Sequence, residues 1–377
     1  METIETRIGQ CIDCNPKVKL LKGETYPVID IDKITIGRKI VFSDEYILFD
    51  GKSGAKFENG DTLMARITPC LENGKMAMAR IEGKGLGSTE LFVFRGIEGI
   101  TDSDFVYYLL KQQHIRNLAA NSMSGASGRQ RADLDFIKKI KITLPSLPFQ
   151  RRIASILSSY DSIIECNSKR IRLLEQMAEN LYKEWFVRFR FPGHNNVKMK
   201  DGLPEGWKNE RLGNVANIST GKCNREDAEE KGEYPLFDRS QEIKRSSVWL
   251  KDCEAIIIPG EGTSFIPRYY VGKFNLHQRC YCVNPKSKGI GKYLFYMLML
   301  NRMYFLSVAT GATVPSLRYN NFASMKFIMP DDKTCKNFDS IITTIFRQID
   351  TLQHQNLLLS RQRDLLLPRL MSGKLEV

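Results

Sequence analysis

The chain lacks most of what a membrane protein or a self-sufficient enzyme would show. None of its apolar runs approaches the ~18 residues that a membrane helix needs, so no membrane partner is expected. The start, Met1-Glu2-Thr3-Ile4-Glu5, has neither a basic segment nor an apolar one, so no export signal is expected and a cytoplasmic location is. Only four histidines occur (His114, His194, His277 and His354), and none is paired at metal-binding spacing. His277, between strand-like runs, reads as a ligand, a base or a plain polar residue. There is no G-x-x-x-x-G-K-[ST]; Gly51-Lys52-Ser53 lacks the first glycine and reads as a surface turn. H-E-x-x-H, G-x-S-x-G and the Asn-Pro-Pro-aromatic tetrapeptide of amino-methyltransferases are also missing, and Asn284-Pro285-Lys286-Ser287 is a turn. Glu242-Ile243-Lys244 and Pro330-Asp331-Asp332 stand in the wrong order for a metal-dependent nuclease site. Nine cysteines, an odd number, suggest reduced thiols. Cys11 and Cys14 form one C-x-x-C and Cys280 and Cys282 a C-x-C, but no second knuckle completes a zinc ribbon, and no metal is expected.

Positive charge is what the chain does have. Lysine and arginine total 56 against 43 acidic residues, a net charge of +13, which favours a polyanionic partner and nucleic acid first. Hydrophobic residues at 42% are enough for folded cores, which excludes a disordered polycation.

The chain also repeats itself. Thr6-Arg7-Ile8-Gly9 recurs as Glu210-Arg211-Leu212-Gly213, and Tyr26-Pro27-Val28-Ile29-Asp30 as Tyr234-Pro235-Leu236-Phe237-Asp238. Ser124-Gly125-Ala126-Ser127 recurs as Thr310-Gly311-Ala312-Thr313, and Asp161, Asn167 and Leu181 as Asp350, Asn356 and Leu370. The matches keep their order, so the chain reads as two copies of one unit. Each copy opens with short β-type runs separated by turns such as Asn59-Gly60, Asn73-Gly74 and Pro259-Gly260. One helical segment follows, near 104–117 or 292–305. A Gly-Ala turn, a last strand and a proline-marked break lead to a long closing helix.

In the first closing helix, Ile153, Leu157, Tyr160, Ile164, Asn167, Ile171, Leu174, Ala178, Leu181 and Trp185 follow a strict 4-3 spacing, the stripe of a coiled-coil seam. In the second, Ile345, Ile349, Leu352, Asn356, Leu359, Leu366 and Leu370 obey the same rule, with Arg363 as an interruption. Each seam carries one asparagine, a residue that can fix register and partner number. An antiparallel helix pair is therefore expected, with Ile164, Asn167, Ile171, Leu174, Leu352, Asn356 and Leu359 as pairing residues. A Pro- and Gly-bearing linker, Phe191–Trp207, joins the copies.

Arginine and lysine cluster around the Gly-Ala turn of the first copy: Arg129, Arg131, Lys138, Lys139, Lys141, Arg151 and Arg152. Small residues such as Ser127 let a backbone approach a ligand, and the arginines beside them can meet phosphates or guanine edges. Lys75, Ser127, Arg129 and Arg131 are candidate DNA contacts in the first copy, and Arg268, Lys273, Arg279 and Arg318 in the second. Any of them can equally belong to a solvated charged face.

With these motifs in view, the chain resembles the specificity subunits of Type I restriction–modification systems over essentially its whole length. The carriers are Leu203-Pro204-Glu205-Gly206-Trp207 with Arg211-Leu212-Gly213, the stretch Ile140–Pro148 followed by Gln150-Arg151-Arg152-Ile153, and the tail Leu365–Leu375. The second copy departs by having only Met329-Pro330-Asp331-Asp332 before its helix, and the first by a start shortened to Glu5–Gly9. The resemblance implies an α+β fold: target-recognition domains at 1–148 and 207–334, spacer helices at 149–187 and 335–377, and a linker at 188–206. It implies a non-catalytic subunit that binds double-stranded DNA. Two methyltransferase subunits would carry the S-adenosylmethionine, a motor/nuclease (restriction) subunit would join them, and this chain would hold no cofactor. A stand-alone DNA-modifying or DNA-cleaving enzyme and a coiled-coil adaptor without DNA contact are the competing readings.

Overall fold

A computed structural model describes residues 2–125 and 130–375. The chain divides into two compact units, 1–170 with 351–377 and 171–350. The division falls inside both long helices, Leu147–Tyr182 and Asp332–Met371, because each helix serves two cores. Ile153, Ala154 and Leu157 share an apolar core with Ile8, Phe105, Leu367, Leu370 and Met371 in the first unit. Ala178, Tyr182 and Trp185 share another with Cys335, Phe338, Ile342 and Ile345 in the second. In both cores an early stretch of one helix meets a late stretch of the other, which makes the pairing antiparallel.

Both units have one plan. Strand Thr3–Arg7 runs antiparallel to Lys141–Pro145 in the first, as Lys208–Arg211 does to Lys326–Met329 in the second. A one-turn helix follows each opening strand, at Ile8–Cys11 and Leu212–Val215. Strand Thr25–Ile29 is parallel to Lys84–Gly87, and Tyr234–Phe237 is parallel to Arg268–Leu276. The larger sheet of the first unit is ordered Ile12–Cys14, Leu91–Gly96, Thr62–Ala65, Met76–Arg80, Ile40–Phe42. That of the second is ordered Ala216–Thr220, Cys280–Pro285, Lys251–Pro259, Arg268–Leu276, Tyr234–Phe237, Lys244–Ser246. The central strands are buried on both faces, as Ala255, Ile256, Ile257 and Ile258 show, and so read as continuous apolar runs.

Three expectations change. The helical segment before each Gly-Ala turn is a broken pair, Ser103–Lys111 with Gln113–Asn121 and Gly291–Leu300 with Arg302–Val308, because Gln112 and Asn301 leave helical geometry. Residues 188–206 are not a free linker. Phe191 and Trp207 stack at 5.2 Å in the core of the second unit, and Met199–Lys200 pairs with Leu203–Pro204 across Asp201 and Gly202. Both turn residues have positive φ (51° and 78°), as a two-residue hairpin turn of type I′ requires. Arg363 does not interrupt the seam: it is 2% exposed and ion-paired to Asp161, at 5% side-chain exposure.

Pro330-Asp331-Asp332 is a helix start. Asp331 Oδ1 accepts the Thr334 backbone N–H at 2.9 Å, and its Oδ2 accepts the Trp207 indole N–H at 3.0 Å. All nine cysteines are free thiols, and burial pushes Cys11 up to about 11 and Cys335 to about 12. Among the described residues, no three His, Cys, Asp or Glu side chains cluster as metal ligands, and no helix is long and apolar enough to cross a membrane.

Candidate nucleic-acid interface

The residues that flank the two Gly-Ala turns sit in equivalent places. In the first unit, Ser124 and Arg131 exchange both backbone hydrogen bonds (3.1 and 3.0 Å) and so close the loop at its base. In the second, Thr310 and Ser316 do the same (2.9 and 2.7 Å). Each loop base docks on a strand end through matched bonds. Thr68 N–H donates to Gln130 O and Ala132 N–H to Arg66 O; Gly262 N–H donates to Pro315 O and Leu317 N–H to Gly260 O. Four backbone bonds thus fix the base of each loop.

Beside each loop base lies an arginine–glutamate pair, built differently in the two units. In the first, Arg131, half exposed, grips Glu90 through Nε (2.9 Å to Oε2) and Nη2 (2.5 Å to Oε1). The Arg131 hydrogen bonds hold the Glu90 carboxyl below its ordinary range. In the second, Arg279 occupies the place of Glu90: Gly260 N–H donates to Arg279 O at 2.8 Å, as Arg66 N–H donates to Glu90 O at 3.0 Å. Glu261 Oε2 accepts from both Arg239 Nη1 (2.7 Å) and Arg279 Nη1 (2.8 Å). Burial alone would raise the Glu261 carboxyl, but Arg279 and Arg239 pull it below its ordinary range.

The second site is braced from behind. His277 is buried, and its Nδ1 accepts the Arg279 backbone N–H at 3.0 Å. The neighbouring turn approaches so closely that a Cβ at Gly221 would lie 1.8 Å from Leu276 O, so only glycine fits. That turn brings exposed Asn224 against exposed Gln278, whose Nε2 donates to Asn224 Oδ1 at 2.6 Å. In the first unit, Lys17, Lys56 and Arg66 line a cleft of about 540 Å³ with Ser53 and Gly54.

The other expected contacts divide by environment. Arg268 is a structural residue: its Nη2 donates to Asp238 O (3.0 Å) and Ser240 O, its guanidinium lies over the Phe237 ring, and burial lowers its pKa. Those bonds hold it inward, against its own backbone. Lys75 is half-buried and donates to Ile31 O at 3.0 Å. Lys273 is exposed, its ammonium 4.9 Å from the centre of the Trp249 ring. Arg318 is exposed at the start of helix Tyr319–Ala323. Ser127 and Arg129 lie outside the described residues. Of the pairing residues, Ile164, Asn167 and Leu352 are buried and Ile171, Leu174, Asn356 and Leu359 half-buried; Asn167 Nδ2 donates to Asn356 Oδ1 at 3.0 Å. The sequence reading missed Arg239 and Glu261. Their only signals were the repeated Asp238, one residue before Arg239, and the Pro259-Gly260 turn before Glu261.

The family model of the Type I restriction modification DNA specificity domain matches residues 8–176 and 204–360. The MjaIX specificity subunit of Methanocaldococcus jannaschii, a Type I restriction enzyme component, is 24% identical over 73% of this chain and 69% of its own length. The EcoDI specificity subunit of Escherichia coli is 28% identical over 46% of this chain, and the match spans only 39% of that relative. A solved S subunit of a Type I restriction–modification system from M. genitalium aligns over 98% of this chain and 96% of its own, with a TM-score of 0.60 at 16% identity, a likeness of fold.

Proposed function

The chain belongs to the Type I restriction modification DNA specificity family, and from that premise we propose that it is the DNA-recognising subunit of a Type I restriction–modification complex. Each unit reads one half of a bipartite double-stranded target. The paired helices set the spacing of the halves and dock two methyltransferase subunits. Those partners bind S-adenosylmethionine and carry the chemistry; this chain holds no cofactor and catalyses no step. A motor/nuclease subunit joins for restriction, and the complex works in the cytoplasm, where the DNA is.

The observation that carries this reading is the same loop base, docked by the same four backbone bonds, next to differently wired charges in each unit. A conserved frame with exchanged side chains is what two readers of different sequences need. The net charge of +13 supplies the sequence-independent attraction to phosphates. The test is to replace residues 207–333 by the matching segment of a relative and sequence the methylated sites made with the partner methyltransferase. One half of the motif should change and the other should stay. A change in both halves, or in neither, would refute the modular reading.

A further inference from the structure

We propose that Arg239, Glu261 and Arg279 form the base-reading element of the second unit, with Arg279 contacting the O6/N7 edge of a guanine in the half-site that this unit binds. The inference rests on the DNA-recognition reading above and deepens it.

A guanidinium discriminates guanine when two parallel N–H donors meet O6 and N7 together, which requires a side chain held in one orientation. Arg279 is held at both ends. Its backbone N–H is bonded to His277 Nδ1, its carbonyl to Gly260 N–H, and its Nη1 to Glu261 Oε2. Its Nε–Nη2 edge has no partner among the described residues, and the side chain is 53% exposed. Arg239 enters the same carboxylate oxygen from a loop whose carbonyls, Asp238 O and Ser240 O, are pinned by Arg268. Glu261 is thus a shared anchor that orients two guanidinia and offsets one of their charges. A phosphate contact needs no such bracing; Lys273, a flexible point charge, lies over Trp249 without it. Gln278, next to Arg279 in the chain, and its partner Asn224 are exposed and carry the amides suited to adenine edges.

The test compares Arg279→Ala, Arg279→Lys and Lys273→Ala in the complete complex with its methyltransferase, read by sequencing of methylated sites and by competition binding. Arg279→Ala and Arg279→Lys should both lose about 10- to 100-fold of discrimination at one G·C position of the second half-site and leave the first half-site intact. Lys273→Ala should weaken binding to all sequences without altering the motif. If Arg279→Lys keeps full discrimination, a point charge suffices and the proposal falls. It falls equally if Arg279→Ala leaves the motif strict or relaxes the other half-site. A wild-type complex that methylates without sequence preference would overturn the DNA-recognition reading itself. A strict wild-type motif untouched by Arg279→Ala overturns the proposal alone.

Discussion

The two units share an apolar grip on their long helices and differ in what is added to it. In the first, Asp161 and Arg363 are paired in the core; Asp161 Oδ2 also accepts the Tyr108 hydroxyl at 2.5 Å, and Arg363 Nε donates to Asp364 at 2.9 Å. Buried Lys39 joins the same region through Asp104 and through Ser158 at 2.6 Å. In the second unit rings take over. Phe186 lies 4.7 Å from Tyr293 and 4.9 Å from Phe338, and Tyr182 stacks on Tyr293 at 5.7 Å. An aromatic cluster tolerates imperfect partners, because dispersion and area burial are non-directional. A buried ionic network does not, since one missing partner strands a charge. The first unit therefore adds a directional polar network to its apolar core, while the second relies more on ring packing, with an ion pair to its closing helix, Lys292 to Asp339 at 2.8 Å.

The largest effect expected from this contrast is at Arg363. Arg363→Met leaves Asp161 buried without its cation and should cost about 3–5 kcal/mol in denaturant unfolding. Replacing the whole constellation with Asp161→Leu, Arg363→Met and Tyr108→Phe should recover most of that loss. Phe338→Ala in the second unit should cost a similar ~3–5 kcal/mol, with no dependence on salt. A triple variant no more stable than Arg363→Met would show that the first unit is not held as described.

The repeat, the helices and the paired asparagines were legible because periodicity and order survive in one dimension. Ser124 and Thr310 aligned by residue type alone, and their loops close with the same bonds. The Asp161–Arg363 pair was not legible. Its members lie 202 residues apart, and an arginine in an apolar stripe reads as an interruption until its partner is known. The inward bonds of Arg268 were not legible either, because composition cannot tell whether a guanidinium faces solvent or its own backbone. The segment 188–206 looked like a linker because Phe191 and Trp207 are isolated in sequence and stacked only in space.

A second, smaller effect separates the units by pH. Lys111, in the first unit, has its ammonium 3.6 Å from Asp364 Oδ1 and 5.8 Å from the centre of the Tyr107 ring. Burial, reinforced by Arg363, pulls its pKa from 10.5 down to about 8. Below pH 8 the lysine is protonated in both folded and unfolded chains, and the full burial penalty applies. Between pH 8 and 10.5 the folded state releases the proton while the unfolded chain keeps it. Stability therefore rises with pH across that window, by at most about 3 kcal/mol. Denaturant unfolding at pH 7.5 and 9.5 should show the rise, and Lys111→Met should abolish it. A flat wild-type profile would refute this account of Lys111.

The smallest effect concerns Asn167 and Asn356, the polar pair within the helix seam of the first unit. Asn167 Nδ2 donates to Asn356 Oδ1 at 3.0 Å, while Asn356 Nδ2 has only longer contacts, 3.4 Å to Ile164 O and 3.4 Å to Ser168 Oγ. Asn167→Leu strands Asn356 Oδ1 while Nδ2 keeps its two acceptors, and because Asn356 is only half-buried the single change should cost about 1 kcal/mol, the low end for a stranded polar group. Asn167→Leu with Asn356→Leu strands nothing and adds apolar surface at both positions, so the double variant should equal or exceed the wild type in thermal stability. The sign of the difference between single and double variants is the informative quantity, because it separates a pair kept for register from one kept for strength. If the double variant loses more than the single, the asparagines contribute stability of their own, and the seam is not the apolar stripe with one polar register mark that its 4-3 spacing describes.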